Sequence, residues 1–200
     1  MARDTGPRCK KCLLIGEKLL LKGERCLSDR CPLHKWTSQE GERKKVSVYS
    51  VQLREKQKAK LIYGIMERQF VKYFYQASAR DNPGGALVSL LERRLDNVVY
   101  RLGFAVSRPA ARQLIRHGAI RVNNRKVDIP SYLVKVGDEI SVSEKAKERI
   151  KSVFTNREIS VDWLAGDKDS IKGIVKRMPT EEDIRDVGIN PKLIIEFYSK

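Results

Sequence analysis

The spacing of the apolar residues changes abruptly between Leu90 and Val142, and that change constrains the fold more than any other feature of the chain. Leu91, Leu95, Val98 and Leu102 recur at helical intervals, and Gly103 is placed to end that helix. Ser107 as N-cap, Pro109 in the first turn and Gly118 just past the end punctuate a second, short helix. Ala111, Leu114 and Ile115 form its apolar side, and Arg108, Arg112 and Arg116 repeat every four residues on the other. From Ile120 the period becomes two. Ile120 and Val122, then Asn123-Asn124, then Val127 and Ile129 read as a hairpin. Val134, Val136, Ile140 and Val142 supply strands around a Gly137-Asp138 turn. The stretch predicts two helices packed on a small twisted sheet. Three stacked arginines without counter-charges repel one another, and a surface that tolerates this faces phosphate; a solvated basic face is the plainer alternative.

The charge along the chain agrees with a polyanionic partner. Residues 1–60 carry 16 basic and 7 acidic side chains, residues 61–130 carry 12 and 5, and residues 131–200 carry 13 and 13. A basic front two-thirds and a neutral remainder imply one polyanion-facing side. No apolar run reaches the length of a membrane span, and the N-terminus lacks a secretory signal, so the expectation is a cytoplasmic protein with no membrane partner.

All four cysteines, Cys9, Cys12, Cys26 and Cys31, fall in the first 31 residues. Two close pairs separated by a loop can place four sulfurs around one soft cation, and so short a segment has no core of its own. Structural Zn2+ is preferred to two disulfides, which suit an exported chain; an iron–sulfur cluster is compatible but less favoured. His34 could in principle substitute as a ligand, but four cysteines already saturate a structural site.

Residues 36–48 read as a polar linker, with Arg43, Lys44 and Lys45 along RNA. From Ser50 a helix sets Val51, Leu53, Leu61 and Ile62 against a basic exterior of Arg54, Lys56, Lys58 and Lys60. After Tyr63-Gly64, a helix through Met66, Phe70, Val71 and Phe74 carries Arg68 and Lys72 outward. Phe70 and Phe74 are read as core rather than base-stacking groups. Residues 81–85 read as a loop, with helix from Ala86 running into Arg94. Residues 143–156 read as a solvated helix, 161–164 and 171–175 as short strands, and Asn190-Pro191 as the start of a final amphipathic helix.

Arg94-Leu95-Asp96-Asn97-Val98-Val99-Tyr100-Arg101-Leu102-Gly103-Phe104, Ser107-Arg108, Ala111-Arg112-Gln113-Leu114, His117-Gly118, Ile120-Arg121-Val122-Asn123 and Ile129-Pro130-Ser131-Tyr132 closely resemble the signature of the ribosomal protein S4 family and its RNA-binding domain. Val51-Gln52-Leu53-Arg54-Glu55-Lys56-Gln57-Lys58, Ile62-Tyr63-Gly64, Glu67-Arg68-Gln69-Phe70 and the ending Leu193 to Lys200 extend the resemblance to essentially the whole chain.

The resemblance implies an α+β chain in three parts. These are a zinc-binding extension over residues 1–45, an all-helical domain of 46–92 plus 178–200, and an inserted RNA-binding domain of short helices on a small, mostly antiparallel sheet over 93–177. It implies a structural constituent of the small ribosomal subunit that binds its RNA at a multi-helix junction of the 5′ domain, early in assembly. It also implies neighbouring ribosomal proteins near the messenger entrance and an influence on decoding accuracy. The RNA-facing set so implied is Arg43, Lys44, Lys45, Arg54, Lys58, Arg68, Arg94, Arg108, Arg112, Arg116, Arg121, Asn123 and Arg125. Arg94-Leu95-Asp96 also resembles a fragment of pseudouridine synthases, but helical residues follow it here, so Asp96 is read as structural. No nucleophile–base set or nucleotide loop accompanies it, and neither an enzyme nor a small-molecule substrate is expected. The rival is a stand-alone, ribosome-associated chaperone sharing the same domain.

Overall fold

The computed structural model describes residues 6–33, 47–154, 161–167 and 170–199. His34 and the expected RNA-contacting Arg43, Lys44 and Lys45 lie outside them. The chain divides into two compact units, Met1–Leu87 with Ile184–Lys200, and Val88–Asp183.

In the first unit α1 spans Arg8–Ile15 and precedes a 3-10 turn at Gly23–Cys26. Helix α2 spans Val48–Tyr63, opened by the Ser47 hydroxyl accepting from the Ser50 N–H. Helix α3 follows over Glu67–Ser78. Phe70 and Phe74 are core, as their spacing predicts. The final helix of the chain, Pro191–Tyr198, is capped by Asn190 and packs on α2 and α3. Tyr198 stacks on Phe74 at 4.5 Å, and Phe197 meets Tyr49 at 5.6 Å.

Helix α2 corrects the expected facing. Lys56 and Lys58 are buried and Val51 is exposed. Lys56 lies 4.6 Å above the Phe197 ring and donates to Glu67 at 2.8 Å, while Lys58 donates to the Gly188 carbonyl at 2.6 Å. A long ammonium side chain can be interior when its stem packs on rings and its head finds oxygens. The final helix supplies the rings, while Glu67 of α3 and the Gly188 carbonyl supply the oxygens.

Helix α4, Pro83–Glu92, begins inside the expected loop because Asn82 caps it, its Oδ1 accepting from the Gly85 N–H. It does not continue into the Arg94 stretch. The chain breaks at Arg93-Arg94, and α5 restarts at Leu95–Arg101 from an extended Arg94. The break is stabilised by backbone pairing: the Leu95 and Asp96 N–H groups donate to the Tyr132 and Pro130 carbonyls, at 2.8 and 3.1 Å. Two of the amides a helix start leaves unsatisfied thus find partners.

In the second unit Gly103, at φ +82°, turns α5 into the loop before α6, Arg108–Arg116. A hairpin follows, β1 Ile120–Val122 and β2 Arg125–Lys126, with Asn123 and Asn124 both at positive φ as a two-residue turn requires. Strand β3 is Glu139–Val142, α7 is Glu144–Phe154, β4 is Leu164–Asp167 and β5 is Lys172–Val175. They form an antiparallel sheet in the order β2-β1-β3-β5-β4. The expected strand over Val134 and Val136 is absent: the Val134 N–H donates to the Arg93 carbonyl at the break, and Val136 already lies in the turn that follows. The strand expected at 161–164 starts instead at Leu164, after the buried Trp163. The last helix of the chain is α8. Between β5 and α8 the acidic run forms a 3-10 helix, Glu181–Val187, with the Asp183 carboxylate accepting from the Thr180 N–H at 2.7 Å.

Candidate nucleic-acid interface

Helix α6 is positioned by its two core contacts, Ala111 and Ile115, and by Ser107, whose hydroxyl accepts from the Ala110 N–H. Its arginines are not the uncompensated ladder that spacing suggests. The Arg112 Nη1 lies 3.4 Å from Asp96 Oδ2, with about a fifth of its side chain exposed. The Arg108 Nε donates to Asn97 Oδ1 at 2.8 Å, with its guanidinium 4.5 Å over the Tyr100 ring. Arg116 is exposed.

Beneath them lies a polar network that sequence reasoning missed. Arg94 grips Asp96 through two bonds, Nε to Oδ1 at 3.1 Å and Nη2 to Oδ2 at 2.8 Å. Glu92, fully buried, accepts from Arg101 at 3.0 and 3.3 Å, and from the Asn97 amide at 3.0 Å. Two-point arginine–carboxylate bonds are strong, and in a dry site they hold only if remaining polar groups are also satisfied. The network therefore fixes α5, whose Asn97 and Asp96 hold the outer cations Arg108 and Arg112. Arg94, expected to touch RNA, is 0 % exposed and serves this internal role. Glu92, Asn97 and Arg101 were hidden because the helix break upsets the spacing from which their shared face could have been read.

The hairpin carries the clearest electrostatic signal. Arg121 and Lys126 are direct cross-strand partners, both exposed, and no described carboxylate is ion-paired with either. Like charges facing each other across a strand pair are destabilising in an isolated protein and become favourable against a polyanion. Arg125 is exposed beside them. Asn123 is different: its Nδ2 donates to Asp138 at 2.8 Å and its Oδ1 accepts from the Glu139 N–H at 2.9 Å, so its side chain fastens the turn.

In the first unit Arg54 and Arg68 are exposed, as is Lys72, while Lys58 is withdrawn into the interior. Of the three tyrosines near these cations, Tyr63 and Tyr73 are buried and Tyr75 stands 67 % exposed.

Cys9, Cys12, Cys26 and Cys31 line one small cavity of about 20 Å³. Burial pushes the Cys12 thiol above its ordinary value, a backbone hydrogen bond from Leu19 opposes this, and the three neighbouring cysteines raise it further. The Lys22 N–H donates to the Cys26 sulfur at 3.4 Å. The thiols share a pocket, yet among the described residues no His, Cys, Asp and Glu group is already arranged as a metal site, so the expected zinc centre is present only as its four cysteines.

Residues 3–92 match the ribosomal protein S4/S9 N-terminal domain, and residues 93–140 match the S4 domain. Relatives align over their whole length and the whole of this chain. They include small ribosomal subunit protein uS4A of Symbiobacterium thermophilum, 49 % identical over 208 residues. The uS4 proteins of a Thermoanaerobacter species and of Fervidobacterium nodosum are 50 and 49 % identical.

Proposed function

This chain belongs to the ribosomal protein uS4 family, and from that premise we propose that it binds small-subunit ribosomal RNA as a structural, non-catalytic component of the cytoplasmic small subunit. The observation that carries the reading is the Arg121–Lys126 like-charge pair on the exposed side of the hairpin. The RNA-facing set is Arg108, Arg112, Arg116, Arg121 and Arg125 in the second unit, and Arg54 and Arg68 in the first, with Arg43, Lys44 and Lys45 retained from the sequence. Phosphate contacts supply affinity. Specificity comes from the shape of a folded multi-helix junction in the 5′ domain, because side chains cannot read the deep groove of A-form RNA. Binding early in assembly, protein neighbours near the messenger entrance and an influence on decoding accuracy complete the reading. The inserted domain over 93–177 is its principal RNA-binding element.

The N-terminal cysteines hold a structural zinc ion that joins α1 to the 3-10 turn. Their shared cavity suits one cation better than a cluster, and the Lys22 amide already donates to one of the four sulfurs. The ion would supply folding energy to a segment without its own core.

The test is a salt titration of binding to a 5′-domain transcript, with a junction-disrupted transcript and a large-subunit fragment as competitors. Preference for the intact junction over a steep common salt slope is expected. Equal affinity for all three would overturn the assignment in favour of a general RNA-binding protein.

A further inference from the structure

Helix α6 has a third face. Ala110, Gln113, Leu114 and His117 recur at helical intervals away from its arginines, and with the start of α7 they enclose an open groove of about 380 Å³. Phe104 and Ile150 are buried against it, Ala110, Leu114 and Ala146 are half-buried, and Gln113, His117 and Lys145 are exposed around it. The volume lies within the range of small-molecule sites that combine apolar walls with a few polar groups.

We propose that this groove receives one unstacked adenine of a bound RNA; the proposal rests on the RNA-binding reading and names a subsite for it. Three features select that occupant. From Arg101 to Val127 the chain has seven basic residues and no acidic one, so the segment forming most of the groove attracts a polyanion. The described groove lining contains no carboxylate, the side chain that accepts at two points from the N1–H and N2–H donors of guanine's Watson–Crick edge. The Gln113 amide offers one donor and one acceptor, the pair that complements adenine N7 and N6. The aliphatic walls take the faces of the base, and Lys145 takes its phosphate.

The experiment is a titration of the full-length, isotopically labelled protein with AMP, GMP and UMP, followed by the amide signals of Gln113, His117 and Lys145. Selective movement of these signals by AMP is expected, with Gln113→Ala abolishing it. Equal movement by all three nucleotides, or none at millimolar AMP, overturns the proposal. Binding of the 5′-domain transcript is measured alongside. Gln113→Ala should weaken it three- to tenfold without altering the salt slope, because an amide displaces no counterion. Wild-type affinity in that variant beside intact junction preference would remove the adenine site alone, whereas lost junction preference in the wild type would remove the broader reading. Weakened incorporation into subunits only when neighbouring proteins are present would assign the groove to a protein partner and refute the adenine.

Discussion

Arg94 and Arg112 both reach Asp96, yet they differ in what surrounds them. Arg94 is wholly interior, so Arg94→Ala leaves a buried carboxylate without its main partner and should cost about 3 kcal/mol of folding free energy, read from urea denaturation. Arg112 is partly in solvent. Arg112→Ala should lower stability by less than about 1 kcal/mol. It should weaken RNA binding by about 1 kcal/mol and reduce the salt slope by about one phosphate. An unchanged slope would remove Arg112 from the interface. Composition and spacing could nominate both arginines, because both are basic residues in a basic stretch. Only the environment separates them.

At the scale of the element, Glu67 ties α2 and α8 to α3. Burial opposes its ionisation, but hydrogen bonds from Lys56, Lys60 and Tyr198 overcome that and hold its carboxyl at about 2, against an ordinary 4.5. A depressed folded-state value contributes stability that is fully present above 4.5 and lost as pH falls towards 2. The stability advantage of the wild type over Glu67→Gln should therefore shrink across that window; a constant difference from pH 5 to pH 2 would show that ionisation contributes nothing. In the sheet, Gly173 of β5 passes so close to Leu102 that an added Cβ would lie about 2.5 Å from its methyl groups. With Leu102 fully buried, Gly173→Ala should overpack the core at a cost of about 1–3 kcal/mol, seen as a lower melting temperature. The hairpin and α6 were legible because Asn-Asn, Ser-x-Pro and Gly encode local geometry. The α4–α5 break was not, since its backbone partners lie some 36 residues downstream.

For the whole molecule, removing the proposed metal separates the parts by their dependence on it. A chelator should abolish amide protection over residues 6–33. It should loosen the Lys58 end of α2, where the ammonium pairs with Glu17 of the extension. Protection in residues 88–183 should persist, because the core of that unit is its own. Simultaneous loss of protection in both units would refute this independence.

The sequence by itself determined the helix-to-strand switch, the polyanion-facing charge, the family resemblance and the position of most elements. Each of these depends on neighbours within a few residues, or on totals. The tertiary structure decided which cations face solvent, where one apparent helix becomes two and that the arginine ladder stands on a buried Glu92–Arg101 and Asp96–Arg94 foundation. Those outcomes depend on burial and on partners brought together from distant parts of the chain, where desolvation makes a charge either interior and paired or exterior and available.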